Sequence, residues 1–214
     1  MDIVHPAIEG YMRELFSVDD QEVLLEMEQR AEEKGFPIIG RLCGRVLEIA
    51  ARAIGARRVF EMGSGYGYSA YWFSRAVGTE GEVHLTDTDP DNEKLAMDYL
   101  TRAGLARPIR YHVADAFETL AQVEGEFDIV YCDAMKDQYP EAWRLGRERV
   151  RVGGFYICDN MLWSGRVTGE VEGEGDDTWT QAIKATNEAI AADPGFREFI
   201  LPTRDGVVFA LRLA

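Results

Sequence analysis

Two apolar runs in this chain end on oxygen-bearing side chains: YCDAMKDQY at 131–139 and YICDNMLWSG at 156–165. Each reads as a strand whose last residues leave the sheet, so Asp133 and the pair Asp159-Asn160 emerge at one edge if the two strands are neighbours. Three oxygen donors then converge. Two carboxylates and an amide, without His or thiolate, suit a hard divalent cation such as Mg²⁺ that keeps some positions for water or substrate oxygens. Lys136 follows Asp133 by three residues; beside a cation and partly desolvated, its pKa is expected to fall, so that it takes a proton from a hydroxyl. The competing assignment makes these acids caps of the following turns and Lys136 a solvated charge. One strand-end Asp would favour it, whereas the D-x-x-K and C-D-N endings together disfavour it. Trp163 either walls an aromatic pocket or packs its loop onto the core.

A second constellation is VFEMGSGYGYSA at 59–70. A glycine loop leaving a strand for a helix suggests a dinucleotide fingerprint, but the glycines are 63, 65 and 67, and Tyr68 stands where the third glycine of GxGxxG belongs. Asp87 closes the next strand, 24 positions after Gly63, where a carboxylate accepts both hydroxyls of a ribose. Glu61, inside the strand before the turn, is costly to bury without a partner and suits an amine or a cation better than a pyrophosphate. S-adenosylmethionine has a ribose, an amino group and a sulfonium but no phosphate. The loop, Asp87 and the acidic turn Ala114-Asp115-Ala116 fit it. The alternative is a βα turn whose glycines only permit tight packing.

The elements that must position these groups alternate along the chain. Strands are expected at 57–62, 82–87, 109–114, 127–133 and 154–159, with helices at about 67–77, 90–103, 115–122 and 138–150. Strand-helix alternation implies right-handed crossovers and a parallel sheet covered on both faces. EFILPTRDGVVFALRL (198–213) sets two apolar runs around Asp205-Gly206, a dipeptide suited to a tight hairpin turn, so the sheet ends in an antiparallel pair. Helices are expected at 5–16, 19–34 and 38–54, with Ser17 and Asp19 as candidate caps of the second. The acidic, glycine-rich stretch 168–178 has no apolar period and reads as a solvated loop.

With 214 residues and 46% hydrophobic content, the chain can bury one sizeable core, which predicts a single domain over 1–214, helical to residue 54 and a sheet-based core from 55. Cys43, Cys132 and Cys158 form no CxxC and read as core thiols of a reducing compartment. His5, His84 and His112 show no ligand spacing. No membrane-spanning run or secretory leader is apparent, so a cytoplasmic location is expected. The formal charge of −15 disfavours nucleic acid and anionic membrane partners.

FEMGSGYGYSA, LTDTDPD, YCDAMKDQYP, CDNMLWSGRV and LPTRDGVVFALR, in this order and at these separations, resemble the class I, cation-dependent O-methyltransferases of the catechol and caffeoyl-CoA group. The resemblance covers about residues 36–214. It implies a Rossmann-like, doubly wound, mostly parallel seven-stranded sheet with an antiparallel C-terminal hairpin and extra N-terminal helices. It also implies methyl transfer from S-adenosylmethionine to a hydroxyl held on a divalent metal, and a homodimer with the N-terminal helices as a candidate contact. Carried onto matching positions, Asp133, Asp159 and Asn160 become metal ligands and Lys136 the base. Glu61, Gly63 and Ser69 lie beside the methionine part of the donor, Asp87 with Thr88 at the ribose, Asp115 and Ala116 near the adenine, and Ile39 lines the donor pocket.

This chain departs from the family at Met135, where the catechol enzymes place a tryptophan and the plant enzymes an acid, and at the acidic insertion 168–178. A small phenolic acceptor with vicinal hydroxyls is the first expectation, and an acyl-CoA ester is less favoured because no basic cluster for its phosphates is evident. A tRNA wobble 5-hydroxyuridine is the alternative acceptor within the family, set against the negative charge. An NAD-dependent oxidoreductase would explain Asp87 but neither Asp159-Asn160 nor the missing glycine. A donor-binding protein without catalysis would not need all three oxygen ligands.

Overall fold

The computed structural model describes residues 3–16, 21–171 and 177–214. Five parallel strands, β1 (Arg58–Met62), β2 (Glu82–Asp87), β3 (Ile109–Val113), β4 (Phe127–Cys132) and β5 (Val150–Cys158), are followed by β6 (Phe196–Leu201) and β7 (Val207–Arg212), which join antiparallel. Sheet order is β3-β2-β1-β4-β5-β7-β6. The order reverses at β1, so the crevice beyond the carboxyl ends of β1 and β4 is where an open sheet of this kind binds ligands.

Alternation along the strands divides the core in two. Val59, Leu85, Ile129, Tyr131 and Ile157 face one layer, with residues of α2 (Glu22–Lys34), α3 (Gly40–Ala53), α4 (Tyr68–Val77) and α5 (Pro90–Arg102). Phe60, Met62, Val130, Cys132, Tyr156 and Cys158 face the other, with α6 (Ala116–Gln122), α7 (Tyr139–Gly146) and α8 (Asp177–Ala191). Successive residues point to opposite faces, so both thiols are core groups beneath the aspartates that follow them. All three cysteines are free and buried.

Local chemistry starts and stops these elements. Asp89 caps α5, accepting from Asp91 N at 2.8 Å with Pro90 at the first helical position, and Asp115 caps α6, accepting from Phe117 N at 2.8 Å and Glu118 N at 3.0 Å. Gly35 ends α2 in the left-handed conformation, φ +61°. α1 (Pro6–Leu15) contributes no buried residue and exposes Ile8, Tyr11 and Leu15.

Four expectations change. The segment expected as one helix at 138–150 is a 3₁₀ turn at Lys136–Gln138, α7, and a second 3₁₀ turn at Arg147–Arg149, after which β5 already begins at Val150. Gly153, φ +77°, lies where β4–β5 pairing changes register, and so hides the start of that strand. α8 occupies a segment not expected to be helical, and its Asp177 and Thr178 belonged to the expected acidic loop. The hairpin loop between β6 and β7 has five residues, Pro202–Gly206, because Leu201 pairs with Val207. Candidate caps Ser17 and Asp19 lie outside the described residues.

Candidate active site

β4 and β5 are neighbours in register, Cys132 opposite Cys158, so Asp133 and Asp159 leave the sheet side by side. Asp133 N donates to Met62 O at 2.9 Å and Asp159 N to Cys132 O at 3.1 Å, fixing both exits by backbone bonds. Lys136 Nζ lies 3.1 Å from Asp133 Oδ1 and 3.3 Å from Ala134 O. The buried Tyr139 hydroxyl donates to Asp159 O at 3.0 Å and to Asn160 Oδ1 at 3.4 Å, tying α7 to this corner.

The loop after β5 is strained and clamped. Asn160, Trp163 and Ser164 have φ of +59°, +46° and +52°. Non-glycine residues adopt this region only when their surroundings impose it. Here the imposing part is the β6–β7 loop. Asp205 accepts from Asn160 Nδ2 at 3.3 Å and from Ser164 N, while Met161 N and Leu162 N donate to the carbonyls of Gly206 and Asp205 at 2.9 and 2.8 Å.

Asp133, Lys136, Asp159, Asn160 and Trp163 line one cavity of about 630 Å³, within the roughly 300–1,000 Å³ of small-molecule sites. On the glycine-loop side it is lined by Gly63, Ser69, Asp87 and Thr88, and farther along by Asp115 and Ala116. Ile39, at the start of α3, closes one wall, and Asp133, Lys136, Asp159, Asn160 and Trp163 form the other end. Every candidate residue except Glu61 lines it. Glu61 is fully buried behind Ser69, whose Oγ donates to its Oε1, and its Oε2 is buried with no partner.

The glycine loop is held by Ser64 and Thr86, which exchange bonds of 2.9 and 3.0 Å, and by Tyr111, whose hydroxyl donates to Gly65 O at 2.6 Å. A Cβ at Gly63 would stand 2.5 Å from Asp133 O, and one at Gly65 would stand 2.8 Å from the Phe36 ring. The glycines therefore bring the loop close to both neighbours. Asp87 accepts from Gly65 N at 3.0 Å and Asp89 N at 2.8 Å, which orients its carboxylate across the cavity. Tyr68 instead turns its hydroxyl to Glu28 Oε1, 2.7 Å.

Electrostatics distinguish the two ends. Burial, reinforced by Asp133 and Asp87 and opposed by Ser69, holds the Glu61 carboxyl well above its ordinary range. An orphaned carboxylate oxygen behind the loop disfavours a pyrophosphate and fits a donor bearing an ammonium group. Burial and the neighbouring Asp133 push Asp159 up to about 7, and burial raises Asp133 in spite of Lys136. Two crowded carboxylates beside an amide oxygen are a donor set that fits a divalent cation. Among the described residues no three His, Cys, Asp or Glu side chains are grouped to hold a metal, so a cation at the two carboxylates would need the Asn160 amide as well. In the protein alone, burial works to lower the pKa of Lys136, but Asp133 more than offsets this and holds the ammonium above its ordinary value.

Several residues of the cavity were not singled out from the sequence. Trp179, the third residue of α8, meets Trp163 edge-on, centroids 6.0 Å apart, and both line the cavity, as do Phe36 and Arg204. Tyr139 stands behind Asp159 and Asn160. His84 and His112 lie away from the cavity, their rings stacked with Nδ1 and Nε2 3.1 Å apart.

Known proteins place this architecture. The crystal structure of the O-methyltransferase TomG from Streptomyces achromogenes, involved in tomaymycin synthesis and in complex with SAM, is similar with a TM-score of 0.86 and 25% identity over 97% of this chain and 96% of that one. Caffeoyl-CoA O-methyltransferase 1 of Eucalyptus globulus is 28% identical over 80% of this chain and 73% of its own length. The catechol O-methyltransferase of Niastella koreensis is 27% identical over 78% of each. A family model described as O-methyltransferase matches residues 14–213, and the chain therefore belongs to the O-methyltransferase family, with the fold of its S-adenosylmethionine-dependent members.

Proposed function

We propose that this O-methyltransferase moves the methyl of S-adenosylmethionine to one hydroxyl of a small phenolic acceptor with vicinal hydroxyls, with a divalent cation, Mg²⁺ by the hardness of its ligands, at Asp133, Asp159 and Asn160. The observation that carries this reading is the in-register exit of β4 and β5, which sets those three groups and Lys136 at one end of a cavity whose other end is the glycine loop. When bound, the cation would neutralise the two carboxylates, lower the pKa of an acceptor hydroxyl and weaken the support Asp133 gives to the Lys136 ammonium.

The chain's own groups have separate tasks in this reading. Glu61, from behind Ser69 and through it, orients the amino end of the donor; Asp87 with Thr88 takes the ribose and Asp115 with Ala116 the adenine, while Ile39 shields the donor from water. Trp163 and Trp179 orient an aromatic acceptor ring. Lys136 Nζ receives the hydroxyl proton, leaving an oxyanion to attack the methyl in line with the departing sulfur. We also propose a cytoplasmic homodimer, built as a single methyltransferase domain over 1–214, a reading that the buried free thiols and the exposed apolar residues of α1 support.

The test is methyl transfer to catechols, caffeoyl derivatives and tRNA, with Asp133→Ala as the control. Asp133→Ala is expected to lose cation-dependent turnover by at least about 100-fold while binding S-adenosylmethionine within a few-fold of the parent. Full activity in that variant, or in excess chelator, would overturn the cation assignment. Transfer to tRNA alone would replace the acceptor.

A further inference from the structure

Arg204 occupies the middle of the five-residue loop between β6 and β7 with φ +48°, a conformation that glycine adopts freely and arginine does not. A strained residue that persists at a cavity is a reason to ask what its side chain does there. The adjoining Asp205 supplies the contacts that clamp this loop to residues 160–164, so the loop geometry needs nothing from the Arg204 side chain.

Room has been left for that side chain. A Cβ at Gly40, the first residue of α3, would stand 2.6 Å from Arg204 Nη1, so the guanidinium group lies against bare backbone beside the cavity that Arg204 lines. Arg204 and Lys136 are the only cationic residues lining the cavity among those described, and Lys136 is committed to Asp133. Arg204 makes no hydrogen bond or ion pair with the described residues, whereas Arg58, Arg149 and Arg151 each satisfy several acceptors.

The chemistry this arrangement suits is narrow. A planar, permanently charged fork with free donors, lining the same cavity as the Trp163–Trp179 pair, matches a carboxylate in two parallel hydrogen bonds. In a chain of net charge −15, an anionic ligand also needs a local cation to enter. We propose that Arg204 is the acceptor-specificity residue of this enzyme and that the acceptor is an aromatic vicinal diol carrying a carboxylate, held by that group at the Arg204 guanidinium. The inference rests on the phenolic-acceptor reading above and adds the charged group.

Kinetics with a matched pair of acceptors, 3,4-dihydroxybenzoate and 3,4-dihydroxybenzamide, decide it. The parent protein should prefer the carboxylate. Arg204→Gln should lower kcat/KM for the carboxylate by about 10- to 100-fold, mainly through KM, and change the amide by no more than about threefold. Arg204→Gly relieves the backbone, so its melting temperature should equal or exceed the parent's while the carboxylate preference is lost. Affinity for S-adenosylmethionine should stay within threefold in both variants. Equal losses for the two acceptors, an unchanged preference, or a donor-affinity loss as large as the acceptor loss would each overturn the assignment.

Calorimetric binding of the same two compounds, with S-adenosylhomocysteine and Mg²⁺ present, separates this inference from the reading beneath it. If the parent methylates neither compound but binds the benzoate more tightly in an Arg204-dependent way, the phenolic-acceptor reading fails and the carboxylate site stands. Binding of neither compound, or binding indifferent to Arg204, removes the site as well.

Discussion

Glu61→Gln tests the donor end of the cavity in a way that separates charge from shape. The side chain is fully buried, one oxygen accepts from Ser69, the other has no partner, and burial holds its pKa well above 4.5. A carboxyl whose folded pKa exceeds its unfolded value contributes most to stability below the unfolded value, and that contribution is lost as pH rises towards the folded one. The ligand-free parent should therefore lose up to about 1.4 kcal/mol per pH unit relative to Glu61→Gln across that window, roughly 3–6 °C of Tm per unit for a chain of this size. Asp133 and Asp159 add similar slopes to both proteins, so the difference between the two curves reports Glu61.

Binding should move the other way. Removing the charge that meets an ammonium group is expected to cost about 1.5–3 kcal/mol, a 10- to 100-fold weaker Kd for S-adenosylmethionine. The assays are thermal unfolding of ligand-free protein from pH 5 to 8 and calorimetric titration with the donor. Parallel Tm curves would refute the buried-carboxylate argument. Unchanged donor affinity would refute the role of Glu61 at the amino group, whatever the curves show.

Gly63→Ala meets both φ +81° and a backbone oxygen 2.5 Å from its new methyl, and should cost at least about 2–3 kcal/mol, seen as a Tm lowered by roughly 5–10 °C. Tyr139→Phe removes the hydroxyl that supports Asp159 and Asn160; about 1 kcal/mol of stability and about tenfold in apparent Mg²⁺ affinity should be lost, read from unfolding and from the Mg²⁺ dependence of turnover. Asp128 accepts from Arg57 N and Arg58 N at 2.7 Å each and pairs with Arg151; burial alone would raise its pKa, and these partners more than offset that and hold it low. Its contribution is present above the unfolded value and lost as pH falls through the folded one, so Asp128→Asn should cost about 2 kcal/mol at pH 7 and progressively less below pH 4 in acid-unfolding curves.

How far the sequence could be read followed from how local each signal is. Residue types at successive strand ends carried Asp87, Asp133 and Asp159-Asn160, because strand period and turn chemistry are properties of a few neighbouring residues. α8 escaped the same reasoning because two of its four buried positions are threonines, Thr180 and Thr186 beside Ile183 and Ile190, which halves the apolar period. β5 lost its first residues to the Gly153 irregularity.

The sequence by itself determined the alternation of elements, the acidic strand ends and the replacement of the third loop glycine by Tyr68. Tertiary structure alone decided that β4 and β5 are neighbours in register, that Glu61 lies behind Ser69 instead of on the cavity wall, and that Lys136 pairs with Asp133. It also brought Trp179 and Arg204, 16 and 41 positions beyond Trp163, to the same cavity. The reason is physical: strand order, burial and the field at a side chain are set by residues distant in the chain, and no local pattern encodes them.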